Sequence, residues 1–300
     1  MSPLLQHAKN YWIALRIRTL SLAVSGVGAG LLAAEYHLSL GLYGSLQGLA
    51  LILLIFTAGV AAQAGANLIN DFFEGSFHYQ DNSEVTISLF GYTRTVFDVA
   101  VFASGIAALG AAALIGLYLV WITDWILLLI GLAGIGGAYA YTGEPFVYKR
   151  FGLGVPLSFV LMGPLMNLGA WYAVTATLSW YPVLFGLPAA LFVPALMLSN
   201  EMRDFYNDRG SGLATLSVRM GRRWSILVYD LLIGGAFVLT LLYAAAGVYP
   251  PATVAVIAAF PLAISGHKKV CGDDTVSISA TNRLHIVFSL LLLSALLFSL

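Results

Sequence analysis

The sequence predicts an all-α integral membrane protein with nine helices crossing the bilayer. Composition is the first reason: of 300 residues, 60% are hydrophobic and only 9% charged, against about 25% charged in soluble domains. A mean hydropathy of +0.88 agrees with this. The third reason is length, since a crossing helix needs about 20 apolar residues and the chain offers nine such stretches.

Those stretches lie at roughly 12–34, 45–70, 95–119, 122–142, 152–175, 181–202, 224–247, 250–266 and 281–299. The eighth is short and broken by proline. The first carries no small-residue cleavage site after a short apolar core, so a retained helix is expected and not a signal peptide. Internal Pro and Gly are compatible with crossing, because neighbouring helices can satisfy the freed backbone groups. No internal repeat, heptad series, low-complexity tract or nucleic-acid signature is present, and residues 1–300 are expected to form one polytopic domain.

Net charge is zero, but its distribution is informative. All 14 Lys and Arg fall at the amino terminus or after an even-numbered stretch, from Lys9, Arg16 and Arg18 to Lys268, Lys269 and Arg283. The odd connections carry only Glu35 and Asp124 as charges. The positive-inside rule then places the amino terminus and even loops in the cytoplasm of an inner-membrane protein, and the carboxyl terminus outside. Trp121 and Trp125 flank Asp124, where an outer aromatic belt is expected. The single cysteine, Cys271, rules out an intramolecular disulfide and a cysteine-rich metal site.

Two acidic motifs end apolar stretches on the cytoplasmic side. ANLINDFFEG carries Asn67, Asp71 and Glu74 at i, i+4 and i+7, with Asn70 beside them. LSNEMRDFYNDRGSGLATLSVRMG carries Asn200, Asp204 and Asp208 four residues apart. On a helix each set stacks along one face. Hard oxygen ligands with no nearby Cys or His suit Mg²⁺, which takes one or two carboxylates and completes its shell with water and substrate phosphate. The two helix ends are therefore expected to clamp one diphosphate through bound metal. Ordinary ion pairing at a solvated helix end is the bland alternative, with Arg203, Arg209 and Arg219 balancing the carboxylates.

Other polar residues are weaker signals. Arg16 and Arg18 either snorkel to headgroups or, in the case of Arg16, meet phosphate. Gly26, Gly28 and Gly30 follow no strand, so close helix packing is expected from them and not phosphate binding. The long connection after the first motif carries His78, Asp81 and Glu84; such loops often serve as lids. YTGEPFVYKRFGLG forms a bent connection displaying Tyr141, Lys149 and Arg150. Asn167 and Asp230 are polar at membrane depth, a default signal of function.

Taken together, LRIRTL, NLINDFFEG, YTGEPFVYKRFGLG, NEMRDFYNDRGSGLATLSVRMG and the late NRLH resemble the UbiA superfamily of intramembrane prenyltransferases over nearly the whole chain. The branch that prenylates 1,4-dihydroxy-2-naphthoate for menaquinone is the most similar. The resemblance implies nine helices around a central cavity open to the bilayer, Mg²⁺-bound diphosphate at its cytoplasmic end, and a prenyl tail in an apolar groove. It carries metal or diphosphate roles to Asn67, Asp71, Asn200, Asp204 and Asp208, with Glu74 where the family usually has Asp. It likewise gives Lys149 a loop-lysine role and Tyr141 a place near the reacting carbon; Arg209 is expected to reach phosphate. Leu213 and Ala214 replace a Lys-Arg pair usual in the menaquinone branch.

The expected function is Mg²⁺-dependent transfer of an isoprenyl group from an allylic diphosphate to an aromatic acceptor, with Asp71, Asp204, Asp208 and Tyr141 as its catalytic residues. An intramembrane terpene cyclase or diphosphate lyase would share the ionisation step but need no acceptor. A lipid or ion transporter fits less well, because transporter sites usually lie at the midplane in broken helices.

Overall fold

The computed structural model describes residues 3–74, 85–272 and 277–300. His78, Asp81 and Glu84 of the expected lid lie outside the described residues, as does the side chain of Glu74. Helices dominate. The chain opens with α1 (Pro3–Leu15) and a short 3₁₀ turn (Ile17–Thr19), then α2 (Leu20–Leu38) and α3 (Leu46–Glu74). Arg16 stands at the corner between α1 and the turn with φ 49°, so the first apolar stretch is two helices meeting at an arginine.

Between α3 and α4 (Val96–Ile122) runs a hairpin, β1 (Thr86–Leu89) paired antiparallel with β2 (Tyr92–Thr95). It is a small hairpin in an otherwise helical chain. Phe90 and Gly91 both take positive φ, 54° and 79°, the backbone that closes a two-residue hairpin with the right twist. Thr95 then caps α4: its hydroxyl accepts from the Asp98 N–H at 3.2 Å, and Asp98 accepts from the Thr95 N–H at 3.0 Å. This reciprocal box contributes about 1 kcal/mol to starting the helix.

The chain continues through α5 (Ile126–Ala140), α6 (Gly154–Val160), a π-helical turn at Leu161–Leu165 and α7 (Met166–Thr175). Three short helices follow, α8 (Tyr181–Phe185), α9 (Leu187–Ala190) and α10 (Phe192–Arg203). Then come α11 (Phe205–Gly210), α12 (Leu216–Met220) and α13 (Arg222–Ala245). A 3₁₀ segment (Pro251–Ala259) leads into α14 (Phe260–Cys271), and α15 (Ser277–Leu297) closes the chain.

Among the described residues, seven helical segments are long and apolar enough to cross a membrane, not the nine expected. The two exceptions have physical causes. The stretch at 122–142 yields α5, whose 15 residues span about 22 Å, short of the ~30 Å hydrocarbon core. The stretch at 181–202 is cut by Pro182, Pro188 and Pro194, each in the first turn of α8, α9 or α10, where the missing N–H costs least. Wide apolar surfaces stay exposed, among them Leu53, Leu114, Leu231, Leu242 and Leu290, as an integral membrane protein requires. Trp121, Trp125 and Trp180 stand exposed near the helix ends, suited to an aromatic belt.

Small residues set the closest seams. A methyl on Gly30 of α2 would lie 2.3 Å from the Asn167 carbonyl of α7, so the two backbones touch only because Gly30 has no side chain. The packing expected of Gly26, Gly28 and Gly30 is what these helices do. Gly65 of α3 and Gly105 of α4 meet in the same way, each with the other's carbonyl oxygen beside it. α2 also packs on α3 and α15, and α15 on α10, so that residues of α3, α10 and α15 border one opening.

Candidate active site

That opening is a cavity of about 520 Å³. Arg16, Arg18 and Thr19 reach it from the corner before α2, and Gln63, Asn67 and Asn70 from α3. Asn200 and Arg203 line it from α10, Tyr141 and Tyr148 from the α5–α6 connection, and Ser279 and Asn282 from α15. Ala138, Leu161, Met162, Met166, Leu196 and Met197 form its apolar wall. Both acidic motifs thus contribute to the rim of one space. Of the sequence-nominated residues, Arg16, Asn67, Tyr141 and Asn200 line it; Asp71, Asp204, Asp208, Lys149 and Arg209 are not among its lining residues.

Each nominated side chain has a local reason for its place. Asn67 is buried, and its amide nitrogen donates to the Leu15 carbonyl at 2.8 Å and the Thr19 hydroxyl at 3.0 Å. With both N–H groups tied to the corner before α2, its Oδ1 is the end left to accept, and Gln63 donates to it at 3.2 Å. Asp71, one turn further along α3, is 1% exposed. Asn70 lies on the cavity side of that turn and accepts from the Thr142 hydroxyl. Arg94 of β2 donates to the Phe72 carbonyl at 2.8 Å, so a cation closes the carboxyl end of α3, where the helix dipole is negative.

The second motif bends without losing its spacing. α10 ends at Arg203 and α11 begins at Phe205, yet the Asp204 N–H donates to Asn200 O at 3.2 Å and the Asp208 N–H to Asp204 O at 2.8 Å. Asn200, Asp204 and Asp208 therefore keep their four-residue stagger through the kink. Arg203 grips the Asp204 carboxylate in two hydrogen bonds of 2.7 and 2.5 Å. Asp204 keeps 28% of its side chain exposed. Arg209 is exposed on α11.

Tyr141 and Lys149 are held together. The Lys149 N–H donates to the Tyr141 carbonyl at 3.3 Å, and the Lys149 ammonium stands 5.9 Å from the Tyr141 ring centroid, a cation–π distance. Tyr148 packs edge-on against Tyr141 at 5.5 Å. Burial, reinforced by Tyr141, pushes the Tyr148 phenol well above its ordinary range, so it stays a neutral O–H group at physiological pH.

Sequence reasoning passed over Glu201, which breaks the four-residue spacing of the second motif. It is 3% exposed and accepts from the Ser217 N–H at 2.9 Å. A methyl on Gly154 would lie 3.4 Å from Glu201 Oε1, 3.5 Å from the Tyr141 ring and 3.6 Å from the Lys149 stem. Lys149 and Asp208 are the charges near enough to act on it. A carboxylate in the last turn of an apolar helix, followed by a basic loop, was the available signal. Asn282 was missed too, hidden in a motif noticed only for its similarity.

The donor set suits a hard divalent cation, since the ligating atoms of Asn67, Asp71, Asn200, Asp204 and Asp208 would all be oxygens, and the Asn67 amide nitrogen is already engaged. Among the described residues, no three His, Cys, Asp or Glu side chains form a ready cluster; the residues above are a mixed Asn and Asp set split between α3 and the bent junction of α10 and α11.

A sequence profile described as the UbiA prenyltransferase family matches residues 22–288. A 1,4-dihydroxy-2-naphthoate octaprenyltransferase of Mycobacterium leprae is 29% identical over 77% of this chain and 76% of its own. The enzyme of the same name from Mycobacterium tuberculosis is 29% identical over 84% of this chain and 83% of its own. Among solved structures, the apo form of a UbiA homolog from Aeropyrum pernix superposes with a TM-score of 0.62 at 15% identity, over 95% of this chain and 98% of that one. That likeness speaks for the fold.

Proposed function

The chain belongs to the UbiA prenyltransferase family, and from that premise we propose that it transfers an isoprenyl group from an allylic diphosphate to 1,4-dihydroxy-2-naphthoate or a related quinone precursor. One observation carries this reading: a single cavity takes Asn67 and Asn70 from one motif, Asn200 and Arg203 from the other, with Arg16 and Tyr141 between them. The naphthoate relatives support the choice of acceptor.

Asn67, Asp71, Glu74, Asn200, Asp204 and Asp208 would hold Mg²⁺, which when bound supplies positive charge against the diphosphate. The protein's cations add to it. Arg16 faces the cavity from its left-handed corner, Lys149 stands over Tyr141, and Arg209 lies on the outer turn. Stabilising charge at the leaving oxygen lowers the barrier to C–O cleavage, in which the diphosphate departs with the bonding pair. Tyr141, edge-on to Tyr148, offers a π-face to the allylic cation that remains. The wall of Leu161, Met162, Met166, Leu196 and Met197 seats the apolar tail and keeps water from the cation. A ring carbon of the acceptor, held close, then forms the new C–C bond and the ring loses a proton or its carboxyl group as CO₂. The catalytic end faces the cytoplasm in this proposal, with the amino terminus inside and the carboxyl terminus outside.

Purified protein, Mg²⁺ and allylic diphosphates of graded length, with and without 1,4-dihydroxy-2-naphthoate or 4-hydroxybenzoate, test the proposal. Prenylated naphthol is the expected product. Prenylation of 4-hydroxybenzoate alone would overturn the acceptor assignment.

A further inference from the structure

Gln63 lines the cavity one turn before Asn67 on α3. Gln63, Asn67 and Asp71 stand at i, i+4 and i+8 and share one helical face. The polar stripe of the first motif therefore runs a turn further from its acidic end than the motif itself does. Ala62 and Ala66 border the same space beside Gln63, and their short side chains leave room there for a flat ring.

The hydrogen bonds around Asn67 fix which end of the Gln63 amide is left over. The Thr19 hydroxyl donates to the Arg16 carbonyl at 2.9 Å, so toward Asn67 it accepts, and the Leu15 carbonyl can only accept. Both take the hydrogens of Asn67 Nδ2, which turns Asn67 Oδ1 to Gln63. Gln63 answers with Nε2 at 3.2 Å, since the flipped amide would set oxygen against oxygen. Its Oε1 has no hydrogen-bond partner among the described residues, and it is not sealed from the cavity that Gln63 lines.

A polar atom placed so in a cavity serves to orient a ligand. A carbonyl oxygen needs a donor, and this requirement separates the molecules that would enter. Diphosphate oxygens near neutral pH bring lone pairs, and a prenyl tail has no N–H or O–H at all. A hydroxyarene has ring O–H groups. Four residues of helix span about 6 Å, so Gln63 lies one step along α3 from the level of Asn67. The attacking ring carbon must come within about 3–3.5 Å of the allylic carbon that the diphosphate carries, which calls for the ring at about that level.

We infer that Gln63 positions the aromatic acceptor, its Oε1 accepting a hydrogen bond from a ring hydroxyl while its Nε2 stays on Asn67. This assignment rests on the transferase reading and adds to it the level on α3 at which the acceptor is held. Gln63 exchanges no proton with the reacting carbon. A site built to pair a substrate hydroxyl discriminates against analogues lacking it, because its own polar group is then left bare.

The test measures dissociation constants at fixed Mg²⁺ for 1,4-dihydroxy-2-naphthoate and for 1-hydroxy- and 4-hydroxy-2-naphthoate, each of which lacks one hydroxyl. The proteins are the wild type and Gln63→Met, which has the same length and no amide. On the wild type, at least one monohydroxy compound is expected to bind about tenfold more weakly than the parent. On Gln63→Met, the parent is expected to weaken by the same factor, so that the ratio falls to about one. Loss of support to Asn67 alone would weaken all three ligands alike and keep the wild-type ratio, and that result overturns the inference. Wild-type protein that binds all three equally overturns it with no variant needed. Wild-type protein that binds none of the three while prenylating another class of acceptor refutes the naphthoate reading, and the role of Gln63 falls with it.

Discussion

Asp71 and Asp204 carry the account at the scale of single residues, and their environments differ. Asp71 is sealed inside α3 at 1% exposure, whereas Asp204 lies partly open and is gripped by Arg203. Asp71→Ala and Asp204→Ala are each expected to lower kcat by at least about a hundredfold, the scale of losing one preorganised electrostatic group. Circular dichroism should show the helices intact. Near-normal turnover in either variant would contradict the ligand assignment. Lys149→Ala is expected to raise the diphosphate KM about tenfold, since a charge-assisted contact to phosphate is worth about 1.5–3 kcal/mol. If KM and kcat both stay put, Lys149 is a topology charge held over Tyr141 by its backbone hydrogen bond.

Elements show what could be read from the chain and what could not. The i, i+4 stagger of Asn67 with Asp71, and of Asn200 with Asp204 and Asp208, is a local property and appears as expected, even across the kink at Asp204. The glycines of α2 also do what their spacing implied, because a missing side chain matters only where another backbone approaches. Three features escaped. The left-handed corner at Arg16 sits in LRIRTL, with no glycine or proline to mark it. β1 and β2 are only four residues each, too brief for alternation to stand out. Glu201 acquires meaning only when Ser217 of α12 folds back onto it, and Asn282 only when α15 reaches the cavity. At this scale Gly65→Val is the informative change. Its new side chain would strike Leu109 and the Gly105 carbonyl on the α3–α4 seam, at a cost of about 1–3 kcal/mol. Thermal unfolding in detergent should register that loss; an unchanged midpoint would mean the seam is looser than its glycines require.

For the molecule as a whole, orientation governs everything, because the proposed diphosphate substrate would be met from the side on which the motifs end. The charge asymmetry of the loops supports a cytoplasmic site, and the chain carries its own reporter. Cys271 is the single cysteine, exposed at the end of α14. A membrane-impermeant maleimide is expected to label it in inverted vesicles and not in right-side-out ones. The opposite pattern would put the cavity's polar end outside. Among the described residues, seven helical segments are long and apolar enough to cross, and two further stretches are shortened or divided; the divided one, α8–α10, ends in the second motif.

The most direct measurement is diphosphate release from an allylic diphosphate by the purified protein, with Mg²⁺ or EDTA, and with or without 1,4-dihydroxy-2-naphthoate. The account predicts release that needs Mg²⁺, rises steeply with acceptor and matches prenylated naphthol mole for mole. Release that is indifferent to acceptor and leaves a hydrocarbon or alcohol would contradict it, as would release that persists in EDTA.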